Sequence, residues 1–223
     1  MKRLSGVLFT LLFSLCSLGF SIFSVAYNTA DYHAFQQRFN IEEATGKTQQ
    51  ELDIVNRDIV LYLQTGEPSR MSDHFGEREC AHMEDVFGLF SLARVVSLIG
   101  IAGASAFLVA RCRDQHPQAA YVAWLTQGAV FVLLAGVAFL ATQSWETVFT
   151  TFHHVFFRND LWILNVDTDL MIQMMPAPFF MAMAKGIALR FVVGTLLGQG
   201  LWTLAGRHLI SAKKGMPKGE KDV

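Results

Sequence analysis

Four long apolar runs decide what this 223-residue chain can become. They extend from Gly6 to Tyr27, Val86 to Val109, Ala119 to Thr142 and Ile187 to Ala205. A helix crosses the hydrocarbon layer of a bilayer with about 20 mostly apolar residues, and each run meets that length. The charged residues, 17% of the chain, gather between the runs and at the ends. The pattern predicts an all-α polytopic membrane protein in one membrane domain, 1–223, with four transmembrane helices at about 6–27, 86–109, 119–142 and 187–205. A small outward-facing cap at 28–85 and a second outer segment at 143–186 complete the expected plan.

The first run has features of a secretory leader. Lys2 and Arg3 precede it, and Ser24-Val25-Ala26 has small residues at the right spacing for cleavage. Its apolar stretch exceeds the roughly 7–15 residues of a leader, so retention as a helix is expected. Basic residues then set the orientation, because Lys and Arg near short loops stay in the cytoplasm. Lys2 and Arg3, then Arg111 and Arg113, then Lys213, Lys214, Lys218 and Lys221 fall on one face of a four-span chain. The expectation is a multi-pass protein of the cytoplasmic membrane with both termini cytoplasmic. The tail after Ala212 reads as a solvated end.

Cys16, Cys80 and Cys112 fall in three different compartments of this map, and no CxxC motif is present, so neither a disulfide nor a redox site is expected. From Asn28 to Asp85 there are 12 acidic and 5 basic residues, a net −7. A nucleic-acid partner would need the opposite sign.

The cap reads as folded. Thr48-Gln49-Gln50-Glu51 is a capping box, followed by Leu52, Val55, Ile59 and Leu63 at helical spacing. Gly66 is placed to end that helix before Glu67-Pro68. Its apolar stripe must lie on either the bilayer or the other outer segment. From Glu77 to Val86 no Pro or Gly interrupts the approach to the second run. A helix there puts Glu79, His82 and Asp85 on one face, so His82 is expected to be flanked by two carboxylates. Asp167-Thr168-Asp169 is placed to cap a short helix ending near Pro176.

The chemistry concentrates between Phe152 and Trp162, where His153, His154, Asn159, Asp160 and Trp162 sit among aromatics. Histidine titrates near neutrality and suits proton transfer, although a single interfacial His is more often a residue that simply bonds water. His82 has Asp85 one turn on, and His153 has aromatic neighbours that would desolvate it. A zinc site built from His82, Asp85 and His153 or His154 is the next reading; the chain lacks HExxH, and adjacent histidines on a helix point about 100° apart. No Ser lies in a GxSxG setting, which disfavours a serine nucleophile. Asn159 and Asp160 either end a helix or act on substrate, Asn159 then donating to a developing oxyanion. Arg94 and Arg190 either snorkel or line a cavity, Arg190 being the stronger functional candidate. The aromatic cluster has an ordinary reading as an interfacial belt.

Three elements together are similar to one known family: His82-Met83-Glu84-Asp85-Val86, then Phe152-His153-His154-Val155-Phe156-Phe157-Arg158-Asn159-Asp160-Leu161-Trp162, then Pro176-Ala177-Pro178-Phe179-Phe180. In that order, on a four-span chain with an outer cap, they resemble the bacterial lipoprotein intramolecular transacylases. The resemblance implies an acyltransferase that moves the sn-2 acyl chain of a diacylglyceryl lipoprotein from glycerol to the α-amine of the N-terminal cysteine. The product is a lyso-form lipoprotein. It implies two working histidines, which map to His82 and His153, with His154 as second choice. We take Asp85 as their catalytic partner, with His82 as base. Asn159, Asp160, Trp162, Phe156 and Arg190 are taken as substrate-binding. The expected partners are a diacylated lipoprotein and the lipid bilayer, without metal or cofactor.

Elementary chemistry agrees with that reading. Turning an ester into an amide needs no energy source, and the chain has no nucleotide motif. Donor and acceptor belong to one molecule, so positioning alone can lower the barrier by roughly 7–11 kcal/mol. Two rival readings stand beside it: a metal-dependent membrane hydrolase, and a non-enzymatic outer-face sensor or transporter. Gly194 and Gly198-Gln199-Gly200 carry the transporter reading as a possible helix break, and they fit close helix packing equally well.

Overall fold

A computed structural model of the chain describes residues 2–113 and 117–214. Among the described residues every regular element is a helix: α1 (Lys2–Ala26), α2 (Thr29–Arg38), α3 (Ile41–Thr45), α4 (Gln49–Thr65), α5 (Ser69–Ser72), α6 (Glu77–Arg113), α7 (Pro117–Gln143), α8 (Trp145–Phe156), α9 (Leu170–Met174) and α10 (Ala177–Lys214). His116 and the tail lysines Lys218 and Lys221 lie outside the described residues.

Among the described residues four helices are long and apolar enough to cross a membrane: Arg3–Ala26, Glu77–Arg111, Gln118–Gln143 and Ala177–Leu204. The 35-residue α6 segment is about 50 Å long, well beyond a hydrocarbon layer of about 30 Å. Its first nine residues carry Glu77, Arg78, Glu79, Glu84 and Asp85. So many charges disfavour hydrocarbon, and the continuous apolar part of the helix follows from Val86. His82 therefore sits on the polar extension of the helix.

The described residues divide into two compact units, and each of the four long helices gives a part to both. The first unit takes residues 1–19, 96–135 and 190–223. Its core is Phe9, Ala104, Ala119, Ala123 and Trp202, with the Phe9 and Trp202 rings stacked 4.0 Å apart. Polar side chains join the helices inside this unit. Gln199 Nε2 donates to Thr10 Oγ1 at 2.8 Å, and Thr10 donates to the Gly6 and Ala123 carbonyls. Small residues let the backbones approach: a Cβ on Gly198 would fall 2.0 Å from the Phe13 ring, and one on Gly194 would fall 2.7 Å from Ser17 Oγ. These glycines serve packing, since α10 runs unbroken through them.

The second unit, residues 20–95 and 136–189, holds the larger core. Tyr32, Phe35, Leu52, Val55, Ile59, Leu63, Met71 and Met83 pack there with Met171, Met174, Met175 and Phe179. The stripe of α4 is thus buried against α2, α5 and the second outer segment, which decides between the two supports open to it. The Thr48–Glu51 capping box is present and Gly66 closes α4 with φ of 75°. Gln36 and Asn56, both fully buried, exchange amide hydrogen bonds of 3.0 and 2.8 Å and fasten α2 to α4. Arg94 donates to the Leu63 carbonyl at 2.9 Å and to Gln64, so it satisfies the C-terminus of α4.

The short helix α9 forms, but not with the expected cap. Asp169 stands at its N-cap without a side-chain cap bond. Its carboxylate instead accepts from Asn165 N at 2.8 Å. The α9 donor Met171 N is taken by Glu79 Oε1 of α6 at 2.7 Å. A carboxylate distant in sequence does the capping.

Candidate active site

The site is built within the second unit by the first turns of α6, by α8, and by the loop after α8. Ser144 caps α8, its hydroxyl accepting from Thr147 N at 3.2 Å. Facing inward from α8 is His153, and facing it from α6 is His82; each side chain's residue is 8% exposed. Their ring centroids are 6.2 Å apart, with no hydrogen bond between the rings. His154, next along the helix, is exposed and meets only the edge of Trp162, at 5.3 Å.

Aromatic rings enclose the pair. Phe149 lies 4.1 Å from the His153 ring, Trp162 at 4.7 Å and Phe157 at 5.6 Å. Phe157 also stands edge-on to His82 at 5.3 Å. Phe180 supports Phe149 at 5.5 Å, which ties the Pro176–Phe180 element to the site.

The two imidazoles differ in their partners. His153 Nδ1 lies 2.7 Å from the Phe149 carbonyl. A carbonyl only accepts, so Nδ1 carries the proton and Nε2 keeps its lone pair. His82 Nδ1 is buried without a partner. Burial pushes the His82 imidazole down to about 4; the His153 ring adds to this and Asp85 opposes it. Burial also lowers His153, opposed by the hydrogen bond to Phe149, with His154 pushing in the same direction as burial. At neutral pH both rings are uncharged. The pair therefore has room for one proton, since a charge on either ring disfavours a charge on the other.

The expected flanking of His82 by two carboxylates does not form. Glu79 is buried and spends both oxygens on backbone donors, Met171 N at 2.7 Å and Gly76 N at 2.8 Å. Asp85 accepts from Asn159 Nδ2 at 2.8 Å and acts on His82 only through space. This changes the expected part of Asn159 as well. Its amide is directed at Asp85, and its Oδ1 accepts from Leu161 N at 3.1 Å. Asn159 and Asp160 do not end the helix, which stops at Phe156.

Asp160 enters through its backbone: Arg78 of α6 donates to the Asp160 carbonyl and to that of Ile163 at 3.3 Å. Arg78 was not among the expected site residues. The only local sign of it was its place one turn before His82. Trp162 lies 4.7 Å from the His153 ring, and its Nε1 is buried without a partner. Phe156 points away from the histidines, half exposed beside Phe152. With Val155, 70% exposed, these residues give α8 an outer apolar face. Arg190 is half-buried and belongs to the first unit. Among the described residues no three His, Cys, Asp or Glu side chains are placed to hold a metal ion.

A neutral base with a fixed tautomer and a second imidazole, set against an aromatic wall, suit proton transfer. A family model described as lipoprotein intramolecular transacylase Lit matches residues 7–180. No curated protein sequence matches the chain significantly. Among solved structures, the membrane-integral lipoprotein intramolecular transacylase Lit from Bacillus cereus has the same fold, with a TM-score of 0.80 and 20% identity over 97% of this chain and 99% of that one. Two further structures of that protein have one histidine replaced, by arginine or by alanine. Each gives a TM-score of 0.78 at 19% identity, covering 96% and 97% of this chain and 94% and 96% of theirs.

Proposed function

The chain belongs to the lipoprotein intramolecular transacylase family and is an acyl-transferring enzyme integral to the membrane, and from that premise we propose that it moves the sn-2 acyl chain of a diacylglyceryl lipoprotein onto the α-amine of the N-terminal cysteine. The observation that carries the proposal is the approach of His82 and His153, both buried and 6.2 Å apart, with the Phe149 carbonyl holding one tautomer. That the Bacillus cereus protein was studied with a histidine replaced is in keeping with it.

The reaction then runs as a single proton relay. The amine nitrogen attacks the ester carbonyl carbon, and His153 Nε2 takes the proton released. The N–C bond forms, the bond from that carbon to the sn-2 oxygen breaks, and the proton passes through the imidazole pair to the departing glycerol oxygen. No atom is left over and no energy source is consumed. This assigns the base to His153 and not to His82, because the base needs a lone pair held in place. His82, whose burial disfavours holding the proton, serves as the final donor. Asp85 serves through Asn159, whose loop carries Trp162 onto the His153 ring.

The positive residues near the cytoplasmic loops support a topology with both termini inside and the site on the outer face. Lipoproteins bearing a diacylglyceryl cysteine are the substrates on this reading, with the bilayer holding their acyl chains. The test is mass spectrometry of one reporter lipoprotein from a host that lacks its own transacylase. Expression of the chain should convert its N-terminal peptide to the lyso form. A peptide that stays diacylglyceryl with a free amine removes the proposal.

A further inference from the structure

We propose that the indole N–H of Trp162 is the donor that stabilises the negative oxygen of the tetrahedral intermediate; this rests on the acyl transfer between His82 and His153 described above. Three donors of the site already have acceptors. Asn159 Nδ2 donates to Asp85, His153 Nδ1 to the Phe149 carbonyl, and Arg78 to the Asp160 and Ile163 carbonyls. Trp162 Nε1 is buried and bonded to nothing, on a ring 4.7 Å from that of His153. An indole N–H can only donate. A buried donor without an acceptor costs stability and calls for an explanation, and a substrate oxygen is the acceptor it lacks.

The loop is built to hold that donor still. Residues 158–160 and Ile163 are exposed, so packing does not fix them. Hydrogen bonds do: Asp85 holds Asn159, Asn159 Oδ1 holds Leu161 N, and Arg78 grips the carbonyls on either side of Trp162. Stabilisation of a developing charge works best when the donor needs no rearrangement as the charge appears. Arg78 is on this account a positioning residue. When the amine attacks, the carbonyl π electrons move to oxygen and strengthen the bond from the indole. They return as the sn-2 C–O bond breaks, and the indole keeps its proton throughout.

The experiment uses the full chain in mixed micelles with a synthetic diacylglyceryl lipopeptide, followed by mass spectrometry. Trp162 is replaced in one variant by benzothienylalanine, which keeps the two-ring shape and lacks the N–H, and in another by phenylalanine (Trp162→Phe). Loss of one such donor should lower kcat about 10²–10³-fold in the benzothienyl variant, with KM within about two-fold. An unchanged kcat, or a raised KM alone, overturns the inference and leaves the indole as a packing residue. The wild-type chain in the same assay separates the two levels. If it forms no lyso-form product, the functional reading falls and takes this inference with it.

Discussion

Asp85 Oδ2 and Asn159 Nδ2 are joined at 2.8 Å, so the carboxylate one helical turn after His82 is directed at the loop after α8. This predicts that Asp85→Ala and Asn159→Ala disturb one and the same structure. Each should slow lyso-form production about 10-fold or more by loosening the loop. The double variant should be little worse than either single one, because partners in one hydrogen bond do not add. Rates of the three variants on one lipopeptide provide the check, and additive losses would sink the coupling.

The histidines divide sharply. His82→Ala and His153→Ala should each lose about 10²-fold or more in rate. His154→Ala should stay within about three-fold of wild type, since that ring is exposed and touches only Trp162. Lipoprotein peptides from a transacylase-free host measure all three. Full activity of either of the first two removes that ring from the relay.

Acid should act on the same pair. His82 is pushed down to about 4 and His153 is lowered from its ordinary value of 6.5. The folded protein thus binds protons more weakly here than the unfolded chain does. As pH falls from about 6.5 towards 4, the unfolded state takes up protons first and stability drops; below about 4 the penalty levels off. Activity should hold its plateau at neutral pH and fall only under more acidic conditions than an ordinary imidazole would require, as His153 takes up a proton. Thermal unfolding across pH 4–7 should be flatter for His82→Gln than for the wild type, and parallel curves would contradict the assignment.

The Gln36–Asn56 pair predicts a stability effect separate from chemistry. Gln36→Leu leaves the fully buried Asn56 amide without its partner oxygen, at a cost of about 1–3 kcal/mol. Adding Asn56→Leu should recover part of that loss, because replacing both partners with apolar groups removes the unsatisfied amide. The melting temperature of purified protein reports both, and a double variant less stable than the single one would refute the pairing.

How far these features could be read from the chain depends on distance in sequence. The four spans, the Thr48–Glu51 box and the Gly66 stop are carried by local periodicity or by short motifs, whereas the pairing of His82 with His153 rests on the family resemblance. What was not legible lies in bonds between remote positions. Glu79 looked like a neighbour of His82, because residues three apart share a helix face. Only the folded chain brings Met171 N close enough to claim it. Asp85 was read the same way, with Asn159 lying 74 positions on. Arg78 carries no pattern at all, since its partners are backbone carbonyls and every residue has one. The choice between His153 and His154 turned on which side of α8 faces inward, and the carbonyl of Phe149, one turn back, settles the rotamer only once that side is known.

The outer face of α8 has a kinetic consequence. Phe152, Val155 and Phe156 are left uncovered by the chain, so the acyl tails of neighbouring lipids are their natural surroundings. For an enzyme seated this way, the concentration that governs turnover is molecules per unit area, not per litre. Added inert lipid or detergent would slow it by thinning the substrate in two dimensions, with the catalyst itself unaltered.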